Sequence, residues 1–331
     1  MEKIAFINGG TFTYWSSVIM TLAVITAIAV FAAMYLNKGG SFLSLCVLVP
    51  AAMTGSLLLS RLLHWYCRSD AYESFHAAMN DFSRGGYALM GAFIACIGVA
   101  ALLRLIRVVE DLPGTYDCMA IGGGMGIAVG RLASLFNASD RGGVVSDALA
   151  FPFAYPITNS VSGELENRLA TFMIQSFVAG GIVAALLLFM LICRLAKKKI
   201  PSGDVALLFL LVYGASQIVC DSTRYDSLFL RSNGFISLVQ ILGLVALLIP
   251  IFVFSWRMVR SRGLKGFQFA IWILMLALMG GAGYMEYHVQ RHGNEAVFAY
   301  SVMSGCLAGV VLLTVLIRFL GRKSKSASIA Q

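Results

Sequence analysis

The sequence predicts an all-α polytopic membrane protein of about nine transmembrane helices, with its N-terminus outside and its C-terminus cytoplasmic. Of its 331 residues, 59% are hydrophobic and only 12% charged, and the mean hydropathy is +0.83; a soluble domain carries far more charge. Mostly apolar runs of about 18 residues or more recur along the whole chain, each long enough to cross the hydrocarbon core as a helix. Lysine and arginine gather in alternate loops, which sets the orientation.

The spans are expected at 13–36, 41–63, 87–106, 117–137, 169–193, 204–221, 234–256, 267–285 and 297–319. The count falls to eight if the stretch from Tyr87 to Leu105 re-enters the membrane rather than crossing it. The first span lacks a basic leading region and a small-residue cleavage site, so it is expected to be retained. One set of loops holds Lys38, Arg104, Arg107, Arg194, Lys197, Lys198, Lys199, Arg257, Arg260, Arg262, Lys265, Arg318, Arg322, Lys323 and Lys325. The other holds Lys3, Arg68, Arg84, Arg141, Arg168, Arg224, Arg231 and Arg291, and most of the acids. The first set is therefore placed in the cytoplasm. Its basic clusters flank helix ends, where anionic lipid lies, so the net charge of +9 needs no nucleic acid to explain it.

The second span ends SRLLHWY, bringing Arg61 and His64 to the outer leaflet, where snorkelling alone would account for the arginine. The segment from Cys67 to Arg84 mixes Asp70, Glu73, His76 and Asp81 with aromatics and reads as an amphipathic surface piece. The fourth span, DCMAIGGGMGIAVGRLASLFNASDRGG, carries Gly122, Gly126 and Gly130 at every fourth position, which clears one face for a neighbouring helix. Packing alone explains those glycines. It does not explain Arg131, because a charge in hydrocarbon costs at least ~2.5–3.5 kcal/mol and needs a partner, a cavity or a task. Ser134 and Asn137 follow within two turns.

The outer connection from Ala138 to Arg168, with Asp140, Arg141, Asp147, Tyr155, Asn159, Glu164 and Glu166, shows no obvious structure and is expected to be functional or mobile. The sixth span also runs outward and ends in Gln217, Asp221 and Arg224. Asp221 and Arg224, three apart, could simply pair with each other. Arg61, Arg131 and Arg224 thus approach one leaflet from three helices, and guanidinium groups hold phosphate through bidentate, charge-assisted hydrogen bonds. An anionic phospholipid headgroup is the phosphate within reach.

The seven cysteines show no paired spacing, although Cys67 and Cys220 both fall near the outer face, where a disulfide could form. The histidines, His64, His76, His288 and His292, form no ligand cluster beyond one i,i+4 pair, and no metal is expected.

From about Thr13 to Trp256 the chain resembles the prolipoprotein diacylglyceryl transferase family in its order of segments. The family pattern G-R-x-G-N-F-x-N-x-E, with an aspartate fourteen residues before its arginine, is matched by Asp117 and GRLASLFNASD, keeping Gly130, Arg131 and Asn137. A-R-L-G-Y is matched by SRLLH with Arg61. Y-G-x-x-R-F-x-x-E-x-x-R is matched by YGASQIVCDSTR, keeping Tyr213, Gly214 and Arg224, with Asp221 for the glutamate. G-G-L-S-F-H-G-G is matched by GGYALMGA. The departures are Met90 for the histidine, Gln217 for an arginine, Ser134 for the first asparagine, Ser139 beside Asp140 at the glutamate, and Ala170 and Thr171 for a Y-E pair. Two spans after about Lys265 lie beyond the family's seven.

The resemblance implies a transferase-like domain over 1–256 and two added helices with a basic cytoplasmic tail over 257–331. It implies a multi-pass protein of the bacterial cytoplasmic (inner) membrane, acting in lipoprotein biosynthesis. The reaction implied is transfer of the diacylglyceryl group of phosphatidylglycerol to the cysteine thiol of a lipobox-containing prolipoprotein. Partners are then those two molecules and membrane lipid, with no cofactor. Arg131, Asp117 and Asp221 are the implied catalytic group; Arg131, Arg61, Asn137, Ser134, Arg224, Gln217, Tyr213 and Met90 bind substrate. With Met90 in place of the histidine, a base for the thiol would come from His64, Asp140 or Asp221. The alternative is a catalytically degenerate relative that binds phospholipid or lipoprotein without turnover. A transporter or scaffold is the third reading; a transporter should show paired polar breaks in two related halves, and no such repeat is present.

Overall fold

A computed structural model describes residues 3–8, 11–80, 85–146, 148–158, 163–230, 233–293 and 295–322. Asp81, Arg84, Asp147, Asn159, Arg231, Lys323 and Lys325, named above, lie outside the described residues, as does the side chain of His292. A short hairpin, β1 (Ile4–Asn8) and β2 (Thr11–Tyr14), leads into α1 (Trp15–Asn37), followed by α2 (Phe42–Cys67). The amphipathic segment after it forms a 3-10 turn, Ser69–Ala71, and a short helix α3 (Phe75–Asn80). Next come α4 (Leu89–Leu105), α5 (Leu112–Arg131), α6 (Thr171–Leu195), α7 (Asp204–Ser222), α8 (Leu238–Arg262), α9 (Gly266–His292) and α10 (Ala296–Arg322).

Among the described residues, eight helices are long and apolar enough to cross a membrane; α4, with 17 residues, is the shorter apolar one. At 1.5 Å per residue it spans ~25 Å against a hydrocarbon core of ~30 Å. The expected nine spans are therefore eight full-length helices and this one. All seven cysteines are free thiols.

The connection between α5 and α6 is not featureless, as its sequence suggested. It contains the antiparallel ribbon β3 (Ala154–Thr158) and β4 (Leu165–Leu169), paired Ala154 to Leu169 and Thr158 to Leu165. A third ribbon, β5 (Phe229–Leu230) and β6 (Asn233–Ser237), leads into α8. Because successive spans alternate in direction, all three ribbons belong to the helix ends on the Arg131 side.

Two compact units make up the chain, one of Met1–Phe209 with Thr223–Val239, the other of Leu210–Ser222 with Gln240–Gln331. In the first, the glycine stripe of α5 receives α1. A Cβ on Gly122 would lie 2.7 Å from the Ala27 carbonyl oxygen, and one on Gly126 2.7 Å from the Ala27 Cβ. The two backbones sit too close for any side chain between them. Asp111 starts α5, accepting the Gly114 N–H at 3.1 Å, with Pro113 in the first turn where its missing donor costs nothing.

Asp117, one turn in, is buried and turned toward the start of α7. Its carboxylate accepts the N–H groups of Gly203 and Ala206 at 3.0 and 2.9 Å and pairs with Lys38 at 3.2 Å. A helix start leaves its first N–H groups unpaired and carries partial positive charge, so a carboxylate from another helix serves as its cap.

In the second unit, α7 and α8 meet at a reciprocal glycine contact. A Cβ on Gly214 would lie 2.6 Å from the Gly243 carbonyl oxygen. The Gln240 amide donates to Glu286 at 2.8 Å, Trp272 Nε1 to Ser255 Oγ at 3.1 Å, and the Tyr300 hydroxyl to the Ser222 carbonyl at 3.1 Å. The two last helices are thus tied to α7 and α8 by hydrogen bonds that apolar surroundings make worth keeping.

Candidate functional site

Helix α5 runs out at Arg131 and tightens into a 3-10 turn, Leu132–Leu135. The chain then reverses, and Asp140 takes a left-handed conformation, φ 58°, which aspartate tolerates better than most residues. That turn sends the Asp140 carboxylate back to the end of α5. Arg131 reaches Asp140 Oδ1 at 2.7 Å and Arg224 reaches the same oxygen at 2.8 Å. The Ser134 hydroxyl donates to Oδ2 at 3.0 Å. Arg224 Nε pairs with Asp226 at 2.9 Å, and Asp226 in turn accepts the Asp140 backbone N–H at 2.9 Å.

The end of α5, the loop after it and the segment after α7 are thereby locked to each other. Gly142 forms a backbone bridge with Arg224. A Cβ there would come 2.8 Å from the Thr223 carbonyl oxygen, so only glycine lets the two strands close. Asn137 Oδ1 accepts both the N–H and the hydroxyl of Ser139, at 3.0 and 2.5 Å.

Arg141 is the buried member of the group. Its Nη2 donates to the Ser134 and Asn137 carbonyls at 3.2 and 2.8 Å, and its guanidinium lies over the Tyr155 and Phe172 rings. Burial pushes this guanidinium's pKa down, with Tyr155 and Tyr225 opposing. At Asp140 burial pushes the carboxyl up, but Arg131, Arg224 and the Ser134 hydroxyl outweigh it and hold the pKa at about 2. A carboxyl held this low is a poor base for a thiol. Its charge faces the two arginines, which argues against the expected role of Asp140 as base.

The structure thus joins Arg131, Ser134, Asn137 and Arg224. Asp117 is not with them. It lies fourteen residues back along α5, ~21 Å at 1.5 Å per residue, where its oxygens cap α7. Asp117 and Arg131 thus stand near opposite ends of one helix, α5.

Arg61 gathers a second set of contacts. Its guanidinium donates to the carbonyls of Ala78, Gly85 and Gly86 and lies 5.0 and 5.4 Å from the Tyr72 and Tyr87 ring centroids. The left-handed Gly85 and Gly86, φ 67° and 81°, turn those carbonyls inward, so the SRLLH and GGY segments form one knot. The Tyr72 hydroxyl meets His64 Nδ1 at 2.9 Å beside it. Met90 is buried in the first turn of α4. Tyr213, Gln217 and Asp221, spaced by four on α7, form a buried stripe in the second unit.

Arg141 was named from sequence only as one charge among several in the outer connection, and Asp226 not at all. Asp226 offers only its place two residues after Arg224, and its partner Asp140 is 86 residues away in the chain. No local pattern carries such a pairing.

A family model described as prolipoprotein diacylglyceryl transferase matches residues 3–256. A phosphatidylglycerol–prolipoprotein diacylglyceryl transferase from Clostridium kluyveri is 24% identical over 256 residues, covering 77% of this chain and 96% of its own. One from Clostridium botulinum is 25% identical over 248 residues, covering 74% and 94%. The match ends inside α8, before α9 and α10.

Proposed function

The chain belongs to the prolipoprotein diacylglyceryl transferase family, and from that premise we propose that it transfers the diacylglyceryl group of phosphatidylglycerol to the lipobox cysteine of a prolipoprotein. In this reaction the cysteine sulfur forms a bond to the glyceryl carbon that carries the phosphate. The carbon–oxygen bond to phosphate breaks, glycerol phosphate leaves, and the thiol proton passes to a base. The leaving oxygen gains charge as the bond breaks, and cations held in place before the reaction stabilise it most.

The observation that carries this reading is the convergence of Arg131 and Arg224 on one carboxylate oxygen, at 2.7 and 2.8 Å. Asp140 holds the two guanidiniums within the width of one phosphate. In this proposal Arg131 and Arg224 bind the phosphate, and Ser134 and Asn137 fix the loop against it and orient the glycerol. Arg61 serves by holding the Ala78, Gly85 and Gly86 carbonyls, not by touching phosphate, and Asp117 by seating α7. His64 and Asp221 remain the candidate bases. Gln217, Tyr213 and Met90 are assigned to substrate contact on the resemblance alone. The transferase-like domain is taken as 1–256 with 257–331 as the added helices. The Arg131 end faces outward from a bacterial cytoplasmic membrane, with the N-terminus outside and the C-terminus inside.

Met90 favours a second reading, because this buried thioether stands where the resemblance puts a histidine. It would leave a relative that binds phospholipid or lipoprotein without turnover. Purified protein in phosphatidylglycerol liposomes, given a lipobox peptide, decides between them. Lipid-linked peptide from the wild type and a loss of at least about a hundredfold in Arg131→Ala is expected. No product from the wild type, with phosphatidylglycerol binding still lost in Arg131→Ala, would leave the second.

A further inference from the structure

Arg141 differs from Arg131 and Arg224 in having no carboxylate partner among the described residues. It is 3% exposed. Two of its donors, Nε and Nη1, are buried without a hydrogen-bond partner, while Nη2 is spent on the Ser134 and Asn137 carbonyls. A buried charge normally acquires a counter-charge, and a donor left unmatched in the interior carries its full desolvation cost. What covers this guanidinium is aromatic: its centre lies 4.5 Å from the Tyr155 ring centroid and 5.5 Å from that of Phe172. Cation–π contact compensates part of the charge and supplies no acceptor for the two N–H groups.

Tyr155 also faces elsewhere. It lines a hollow of about 440 Å³ in the α5–α6 connection, with Leu149, Phe151, Pro156 and Asn167. This is an open depression rather than an enclosed cavity, with Leu149 and Phe151 exposed, and its walls are mostly apolar. Tyr155 therefore contributes to the wall of the depression and to the cover of a guanidinium that lacks an anion.

We propose that this depression is an amphiphile subsite, taking the apolar part of a phospholipid against Leu149, Phe151 and Pro156 while its phosphodiester is received by Arg141 once the Tyr155 ring turns aside. The proposal deepens the transferase reading and rests on it for the identity of the lipid. Arg141 is then the substrate's first phosphate contact, one residue from the carboxylate that holds Arg131 and Arg224. The shared chemistry is a phosphate oxygen; a lipid and a free phosphate ester differ in whether the apolar wall contributes.

The test is equilibrium binding to the full-length protein in neutral-detergent micelles, with three probes: short-chain phosphatidylglycerol, the diacylglycerol of the same chains, and glycerol phosphate. Saturable phospholipid binding is expected, weaker by about tenfold or more in Arg141→Gln, with diacylglycerol binding the same in both. Ala150→Phe fills the depression from its lining and should cause a similar loss. If Arg141→Gln does not fold, Arg141→Lys, which keeps the charge but not the two-pronged geometry, takes its place.

The proposal is overturned if either folded variant binds the phospholipid like the wild type, which would make Arg141 only a latch on the α5 terminus. It is equally overturned if glycerol phosphate binds as tightly as the phospholipid. The transferase reading fails separately: no turnover with Arg141-dependent binding intact removes that reading and leaves this subsite. Turnover with a KM for phosphatidylglycerol insensitive to Arg141 does the reverse.

Discussion

Asp140 holds Arg131 and Arg224 together through charge. Its carboxyl is held at about 2, below the ordinary unfolded value near 3.9. A depressed carboxylate contributes stability that is complete above the unfolded pKa and is lost as pH falls through the folded one. Between about pH 4 and 9 Asp140 stays ionised, and no inflection in the pH–rate profile should come from it. Asp140→Asn should cost about 3–5 kcal/mol, because two guanidiniums would be left facing each other without their shared anion. Thermal unfolding in detergent measures this; an Asn variant as stable as the wild type would show that the arginines need no such partner. Arg131 was legible from sequence because a cation in an apolar run stands out. Asp140 was named only as a candidate base, and Asp226 not at all, since acids in a loop read as solvated until a turn brings them to a distant arginine.

At the scale of the helix, the glycines of α5 separate into two kinds. Gly122 faces the α1 backbone, whereas a Cβ on Gly123 would meet nothing within 4 Å. Gly122→Ala should therefore destabilise by about 1–3 kcal/mol through forced backbone separation. Gly123→Ala should be neutral or stabilising by about 0.5–1 kcal/mol, because alanine restricts the unfolded chain and suits a helix. Paired melting curves test both, and equal effects would mean the stripe is not a packing surface. The four-residue spacing was readable in advance; which helix it receives was not, since α1 and α5 are far apart in sequence. Asp117→Asn should cost about 1–3 kcal/mol by weakening the cap on α7 and the Lys38 pair, with the KM for phosphatidylglycerol unchanged. A raised KM without lost stability would return Asp117 to the reaction. The three ribbons escaped the sequence reading because strands of two to five residues leave little periodicity amid long apolar runs.

Across the whole chain, hydropathy revealed nearly every span because the bilayer demands a minimum length of apolar helix. It could not reveal how the last helices are used. The compact division does not fall where the family match ends but runs through α7, whose Leu210–Ser222 half groups with α8, α9 and α10. That half carries Tyr213, Gln217 and Asp221. Deleting residues 266–331 should therefore abolish turnover and lower the melting temperature, although the family match would be untouched. Full activity in the shortened protein would show that α9 and α10 are dispensable. The clamp at Asp117 has a further effect. It fastens the loop after α1, the body of α5 and the entry of α7 at the membrane face away from the arginines, as a wrist gathers fingers. The arginine end, unlike this one, is left to be tied by the loops that follow α5 and α7.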